Sequence, residues 1–342
     1  MTTPKIGFAC KWSELDSKGQ VVSVPELNTR VTTIAWLNRQ TKDVAEERLF
    51  ELVKHNLESI RLLVERVSTL DEQFRMVRIS SDILPAYTHE LWSYYYKRSD
   101  VLALLERGFA EIGEVARSKQ VRLSMHPGQF CVLASDNPNI VNNSIEEFEY
   151  HADMARWMGY GKQFQDFKIN VHISGRQGPE GIRRAYQRLS TEARNCITIE
   201  NEENAWGLND CLELTDILPI VLDVHHHWVR EGEYIQPDDI RVQRVIDSWR
   251  GVRPTCHYSI SREDYLTGHC NVTEPDYHTL LAAGYKKAKL RAHSDYYWNH
   301  EVNAWAAQFL SNFDIMCESK SKNLASIKFA EDIGLYKTQG QS

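Results

Sequence analysis

Ile220-Val221-Leu222-Asp223-Val224-His225-His226-His227 is an apolar run that stops on a carboxylate and three imidazoles. An unbroken Val/Ile/Leu run is the pattern of a parallel strand buried on both faces. Ligands of α/β proteins gather just beyond the carboxyl ends of such strands. Asp223 and His226, close together where the chain leaves the strand, are placed to share one metal ion. His225 and His227 have a plainer reading, as imidazoles that hydrogen-bond the loop or face solvent.

The same pattern recurs on both sides of this run. Strand-like stretches occupy 5–10, 74–80, 121–125, 167–171, 196–199, 220–222, 254–256 and 313–317. Helical apolar spacing fills the intervals, at 43–66, 99–118, 144–158, 237–248 and 322–333, with a further helix between the fourth and fifth strands. Strands alternating with helices argue for a parallel sheet. Eight such units, with no Gly-x-Gly-x-x-Gly after the first strand, predict a single (β/α)8 TIM barrel over 1–342 and no nucleotide cofactor. Residues 260–290 are too long and polar for an ordinary loop. They are read as an insertion after the seventh strand, near the active face.

Bulk properties narrow the class. Of the 342 residues, 42% are hydrophobic and 25% charged, which is ordinary globular composition with material for a large core. No N-terminal apolar segment or bilayer-length run is visible, so a soluble cytoplasmic protein without a membrane partner is expected. The 40 basic and 47 acidic residues give a net charge of −7. That opposes indiscriminate coating of DNA and leaves room for a local basic groove. Seven cysteines, odd in number and without a CxxC pair, do not suggest a disulfide framework or a thiolate zinc site. Thirteen histidines are the richer signal.

Those histidines sit where strands end. His126, His172, Glu200, Asp223 with His226, His257 and Glu318 all follow strand-like runs, and a barrel gathers such ends around one mouth. Any one of them reads equally well as a helix cap or a hydrogen-bonded structural residue; all of them on one face do not. A nitrogen and oxygen donor set without thiolates suits Zn or Mn. It is oversized for one ion and fits two or three, spaced about 3.5–4 Å apart, which can activate water against a phosphodiester.

With these positions in hand, the chain resembles the ultraviolet damage endonucleases. The resemblance rests on Ile79-Ser80-Ser81-Asp82 with His89, Ser124-Met125-His126-Pro127-Gly128-Gln129-Phe130, Val171-His172-Ile173-Ser174-Gly175 and Ile199-Glu200-Asn201-Glu202. It continues through Asp223-Val224-His225-His226, His257-Tyr258-Ser259, His293-Ser294-Asp295-Tyr296 and Met316-Cys317-Glu318-Ser319-Lys320-Ser321-Lys322. It implies a Mn2+ site, with Zn2+ the alternative, held by His126, His172, Glu200, Asp223, His226, His257, His293 and Glu318. Glu200 would bridge the ions, and Glu200, Asp223, His257 and Glu318 would carry the catalysis. His293 is preferred to His269, which would lie exposed in the insertion.

The implied substrate is damaged double-stranded DNA, nicked by a monomer immediately 5′ of cyclobutane pyrimidine dimers and 6-4 photoproducts, and also at abasic sites. Gln129 and Phe130 would wedge into the lesion, and His89 would contact the cleaved phosphate or a metal ligand. Arg30, Arg78, Arg176, Lys320 and Lys322 are candidate phosphate contacts. The chain departs from the family pattern at Phe8 and Trp12, where tyrosine and asparagine lesion contacts are common. It departs again at Phe130, commonly tyrosine, and at Thr255, where many members carry a lysine beside the metals. The alternatives are an apurinic endonuclease or sugar isomerase on the same barrel, or a damage-binding protein that does not cut.

Overall fold

The computed structural model describes residues 3–337; the ends of the expected 1–342 span lie outside them. Eight parallel strands form the centre: β1 (Ile6–Ala9), β2 (Met76–Arg78), β3 (Arg122–Met125), β4 (Lys168–His172), β5 (Ile197–Glu200), β6 (Ile220–Val221), β7 (Thr255–Tyr258) and β8 (Asp314–Cys317). Their sheet runs β6-β5-β4-β3-β2-β1-β8-β7. The parallel bridge between Asp223 and His257 joins its two edges, so the sheet closes into the expected TIM barrel.

Register explains why the barrel's chemistry sits at one end. Side chains alternate faces along a strand, so residues two apart share a direction. His172 follows Lys168 and Asn170 on one face of β4, and Glu200 follows Thr198 on β5. His257 follows Thr255, His126 follows Ser124, Asp223 follows Val221 and Glu318 follows Met316. The lower member of each pair is buried, from 0% exposed at Asn170 and Thr198 to 4% at Ser124 and Lys168. Parallel pairing of His172 with Glu200 and of Met316 with His257 holds these rows level. Lower in the barrel, Met76 fills the space in front of Gly7, whose added Cβ would lie 2.8 Å from the Met76 side chain.

Outside the barrel, α1 (Lys42–Ser68) and α2 (Ser99–Ser118) pack together, and α3 (Pro138–Trp157) packs on α2. The start of α3 lies well before the 144 read from apolar spacing. Asn137 accepts a hydrogen bond from the Asn139 amide at 2.9 Å, and Pro138 occupies the first turn; cap and proline together begin a helix ahead of its apolar face. Between β1 and α1 the chain forms a hairpin, Ser13–Leu15 with Val21–Ser23.

Between β7 and the helix α4 (His300–Ala307), the chain makes a long excursion with two short helices, Tyr277–Ala282 and Lys287–Leu290. Leu266, Tyr277, Leu280 and Leu290 pack with Trp228 and Val229 in an apolar cluster apart from the main core. No helix among the described residues is long and apolar enough to cross a membrane, and all seven cysteines are free thiols.

Candidate metal centre

Asp223 shows how one residue serves both readings of its position. It is the N-cap of the helix Val224–Glu231: Oδ1 accepts the His226 amide at 2.6 Å. Its second oxygen, Oδ2, is buried without a hydrogen-bond partner and lies 3.7 Å from His226 Nδ1. Asn201 clamps the backbone of Asp223, donating to its carbonyl at 3.0 Å and accepting from its amide at 2.9 Å. The cap therefore uses one lone-pair direction and leaves the other facing the mouth.

Glu200 stands at the centre and is fully buried. His257 Nδ1 is 3.0 Å and His126 Nε2 3.4 Å from its Oε2, while His226 Nδ1 is 3.4 Å and His172 Nε2 3.9 Å from its Oε1. Donor atoms of His126, His172 and Glu200 come within 4.8 Å of one another, as do those of Glu200, Asp223 and His257. Glu200 belongs to both groups. Glu318 Oε1 is 3.3 Å from His257 Nδ1 and also pairs with Arg78.

The neighbours fix these donors in orientation. His126 donates Nδ1–H to the Pro127 carbonyl at 2.9 Å, which leaves the Nε2 lone pair aimed at the cluster. Thr198 donates to Asn170 at 2.7 Å, and Asn170 donates in turn to Glu200 Oε2.

Buried polar atoms almost always find partners, yet Glu200 Oε1, Asp223 Oδ2 and His257 Nδ1 have none. Donor atoms of these three residues lie within 4.8 Å of one another. Burial and the nearby Glu200 and Glu318 push Asp223 up to about 8, against the pull of His226. Burial raises Glu200 as well, but the surrounding imidazoles outweigh it and hold the carboxylate well below its usual range. Burial also keeps His172 and His257 neutral, both down to about 4 despite Glu200. Unpartnered oxygens, neutral imidazoles and crowded carboxylates are what a divalent cation requires, so the residues present fit such ions.

The expected residues fall into three groups. His126, His172, Glu200, Asp223, His226, His257 and Glu318 come together. His293 stands at the edge, its ring centre 6.4 Å from that of His226. Its rival His269 is half-buried against Trp298 rather than exposed, with Nδ1 donating to the Cys270 carbonyl at 2.8 Å. Gln129 is exposed and Phe130 is 83% exposed, so Phe130 does not pack under its own loop. That loop is anchored behind its tip: Ser144 Oγ accepts the Val132 amide at 2.8 Å. Gly175, at φ 100°, brings the loop after β4 against it, since an added Cβ would lie 2.4 Å from the Ala134 backbone.

Three expectations are corrected. Phe8 is 1% and Trp12 6% exposed; they pack edge to face in the core at 5.8 Å and offer DNA no surface. His89 lies outside the cluster. Its Nδ1 accepts the Leu91 amide at 3.2 Å, and it lines a separate depression of about 1060 Å3. Asp82, Glu90, Glu146, Glu147, Glu149 and Asp153 line that depression too, and such a wall repels a phosphate chain. A smaller cleft of about 460 Å3 is lined by His126, His172, His226 and Glu318 together with Cys10, Arg78, Gln129, Glu202, Glu203 and Arg291.

Of the candidate cations, Arg78 is committed to Glu318, Lys320 pairs with Asp295 at 3.6 Å, and Arg176 is free but for Asp136 at 3.3 Å. His225 and His227 are buried and hydrogen-bonded, to the Leu290 carbonyl at 3.2 Å and to Glu233 at 2.9 Å, so the solvent-facing reading falls.

The sequence reading missed Lys168. Its ammonium nitrogen lies 2.9 Å from His257 Nε2, fully buried, and burial lowers it to about 7 against the pull of Glu200. Thr255, where a lysine was expected, is buried with its hydroxyl unpartnered. A lysine from β4 thus reaches the histidine that the Thr255 position leaves unattended. The signal was a lysine inside the apolar run Phe167-Lys168-Ile169-Asn170-Val171.

The family model described as UV-endonuclease UvdE matches residues 4–340. UV DNA damage endonucleases of Bacillus cereus (strain 03BB102) and Bacillus thuringiensis subsp. konkukian (strain 97-27) are each 25% identical over 315 residues, 89% of this chain and 89% of theirs. Among solved structures, SacUVDE superposes with a TM-score of 0.70 at 23% identity, over 96% of this chain and 97% of that one. Endonuclease IV from Thermus thermophilus gives 0.52 at 14% identity, over 80% and 92%. These last two show a shared fold.

Proposed function

The chain belongs to the UV-endonuclease UvdE family, and on that premise we propose that it nicks damaged duplex DNA immediately 5′ of ultraviolet photolesions. Its role as a DNA-repair endonuclease follows from the family; the position of the cut, the lesions and the use of metal are our reading. The observation that carries this reading is Glu200, one buried carboxylate shared by two groups of metal donors. Gln129, next to the exposed Phe130 on the same loop, lines the cleft that His126, His172, His226 and Glu318 also line.

His126, His172, Glu200, Asp223, His226, His257, His293 and Glu318 would hold two or three divalent cations, Mn2+ in the first instance. Bound there, such cations supply a water of lowered pKa and neutralise charge on the phosphoryl group. The protein's own groups do the rest. Glu200 and Asp223 each keep one oxygen unpartnered; Asn170 holds the Glu200 carboxylate and the His226 amide that of Asp223, whose backbone Asn201 fixes. Arg78 holds Glu318 against the cluster and places a second cation beside the cleaved phosphate. Phe130 stacks into the gap left by damaged bases, which cost less to unstack than intact ones, and an aromatic–base stack contributes about 1–3 kcal/mol. We propose that the whole chain acts as one catalytic domain.

The test is a mapped nick. Duplexes carrying one cyclobutane dimer, one 6-4 photoproduct or one abasic site are incubated with the Mn2+-loaded protein, and both ends of the break are sequenced. A cut on the 5′ side of the dimer, leaving a 3′-hydroxyl, is the expected result. Cutting of the abasic duplex alone assigns the chain to apurinic sites. Turnover of a panel of aldoses with all duplexes intact assigns it to sugar chemistry, and lesion binding without a break makes it a damage-binding protein.

A further inference from the structure

Lys286-Lys287-Ala288-Lys289-Leu290-Arg291 closes the excursion that follows β7, and no carboxylate residue lies between Asp276 and Asp295. In a chain of net charge −7 this is an uncompensated basic run. Lys286, Lys289 and Arg291 are exposed and Lys287 is half-buried. Among the described residues, none of the three lysines has a carboxylate partner, whereas Arg291 donates to Glu203 at 2.8 Å.

The run is also held firmly in place. Leu290 is fully buried among Leu266, Tyr277, Leu280 and Trp228. Its carbonyl accepts from Ser261 Oγ at 2.6 Å and from His225 Nε2 at 3.2 Å, and the Lys286 amide donates to Tyr265 Oη at 2.8 Å. His225 adjoins His226, and His293 follows two residues after Arg291. Arg291 and Glu203 line the same cleft as His126, His172, His226 and Glu318. A charge run on a solvated face needs no such anchoring. This one is pinned, at its carbonyl and at its arginine, to the rim of the donor cluster.

We propose that residues 286–291 are a platform for the sugar–phosphate backbone of duplex DNA, gripping the strand beside the phosphate that the neighbouring cluster attacks. The proposal rests on the function proposed above and gives the excursion after β7 its purpose. Lysines without carboxylate partners release the counterions of phosphates they meet, and phosphate contacts fix register without reading sequence. The platform therefore adds affinity equally to damaged and intact duplex, and leaves discrimination to Phe130.

The experiment compares the full-length protein with its K286A/K287A/K289A variant. Binding to a dimer-containing duplex and to its undamaged twin is measured as salt is raised, alongside metal content and the circular dichroism spectrum. The variant should bind both duplexes more weakly, with an unchanged ratio between them. Its slope of log affinity against log salt should be shallower by about 2–3, since each phosphate contact contributes about 0.9. Metal content and spectrum should be unaltered.

An unchanged slope in a variant that still nicks lesion DNA overturns the platform and leaves the proposed function standing. A shallower slope in a pair of proteins that nick nothing keeps the platform and overturns the function. No duplex binding by the parent protein overturns both. Loss of discrimination instead of loss of affinity would make the run a lesion reader, against the proposal.

Discussion

The two ends of this barrel treat buried charge in opposite ways. At the amino ends of the strands, Asp314 is 2% exposed and both of its carboxylate oxygens are hydrogen-bonded. Arg253 Nε at 2.8 Å and the Lys5 amide at 2.9 Å donate to Oδ1, and Arg122 donates to Oδ2 at 2.5 Å. The guanidiniums are satisfied in turn: Arg253 donates to the Leu310 and Phe313 carbonyls, and Arg122 to that of Arg253. At the carboxyl ends, Glu200, Asp223 and His257 are as deeply buried and close together, but each keeps an atom without a hydrogen-bond partner. Closed networks hold a fold together; open ones hold a place for something else. The comparison separates the end that stabilises the barrel from the end proposed to act.

If that division is right, mutations at the two ends should fail differently. Glu200→Gln should reduce Mn2+-dependent nicking by about 10³-fold or more, because several kcal/mol of charge stabilisation are lost with the shared carboxylate. Its thermal midpoint without metal should fall only modestly, since the amide can still accept from Asn170 and only the attraction of the surrounding imidazoles is lost. A large drop in that midpoint would put the mouth in the same class as the other end. Asp314→Asn should do the reverse. Leaving Arg122 and Arg253 without their counter-charge should cost about 3–5 kcal/mol in denaturant unfolding, with nicking by the folded fraction unchanged. Lost activity at full stability would break the division.

Smaller effects sharpen the same contrast. Lys168→Met removes the group that holds the far nitrogen of His257, and such supporting contacts typically contribute about 10- to 100-fold to metal affinity. Weaker Mn2+ binding in a competition titration, with unchanged affinity for lesion DNA in the absence of metal, is the expected result. An unchanged metal affinity would reduce Lys168 to filling space. Phe130→Ala should lower the preference for damaged over intact duplex by about 1–3 kcal/mol, with metal content as before. Equal preference in both proteins would remove the ring from lesion recognition.

Much of this was legible from the residues because strand ends announce themselves. An apolar run that stops on His, Asp or Glu records both a buried strand and the direction in which its last side chain points. Seven of the expected donors converge in the structure for that reason. What escaped depended on the interior of the barrel. Lys168 sits in the middle of a run read only as apolar, and nothing in the spacing says that its stem spans from β4 to a histidine on β7. The network around Asp314 joins Arg122 and Arg253, far from it along the chain, so no local pattern marks it. Phe8 and Trp12 illustrate the opposite error. Their positions matched expected DNA contacts, but these aromatic rings pack against each other, and both turn inward. His89 shows a different limit: the loop after β2 sets it on an acidic depression, apart from the grouped donors, and no spacing in the sequence records that.

Asp223 has a further implication for how the molecule can change. One of its oxygens starts a helix and the other looks across the mouth, with a single methylene between backbone and carboxylate. Lengthening the side chain by one carbon would carry both oxygens past their targets, and an amide would keep the helix but blunt the charge. The helix alone would accept that amide, so the oxygen turned away from the helix is what ties the position to a carboxylate of this length.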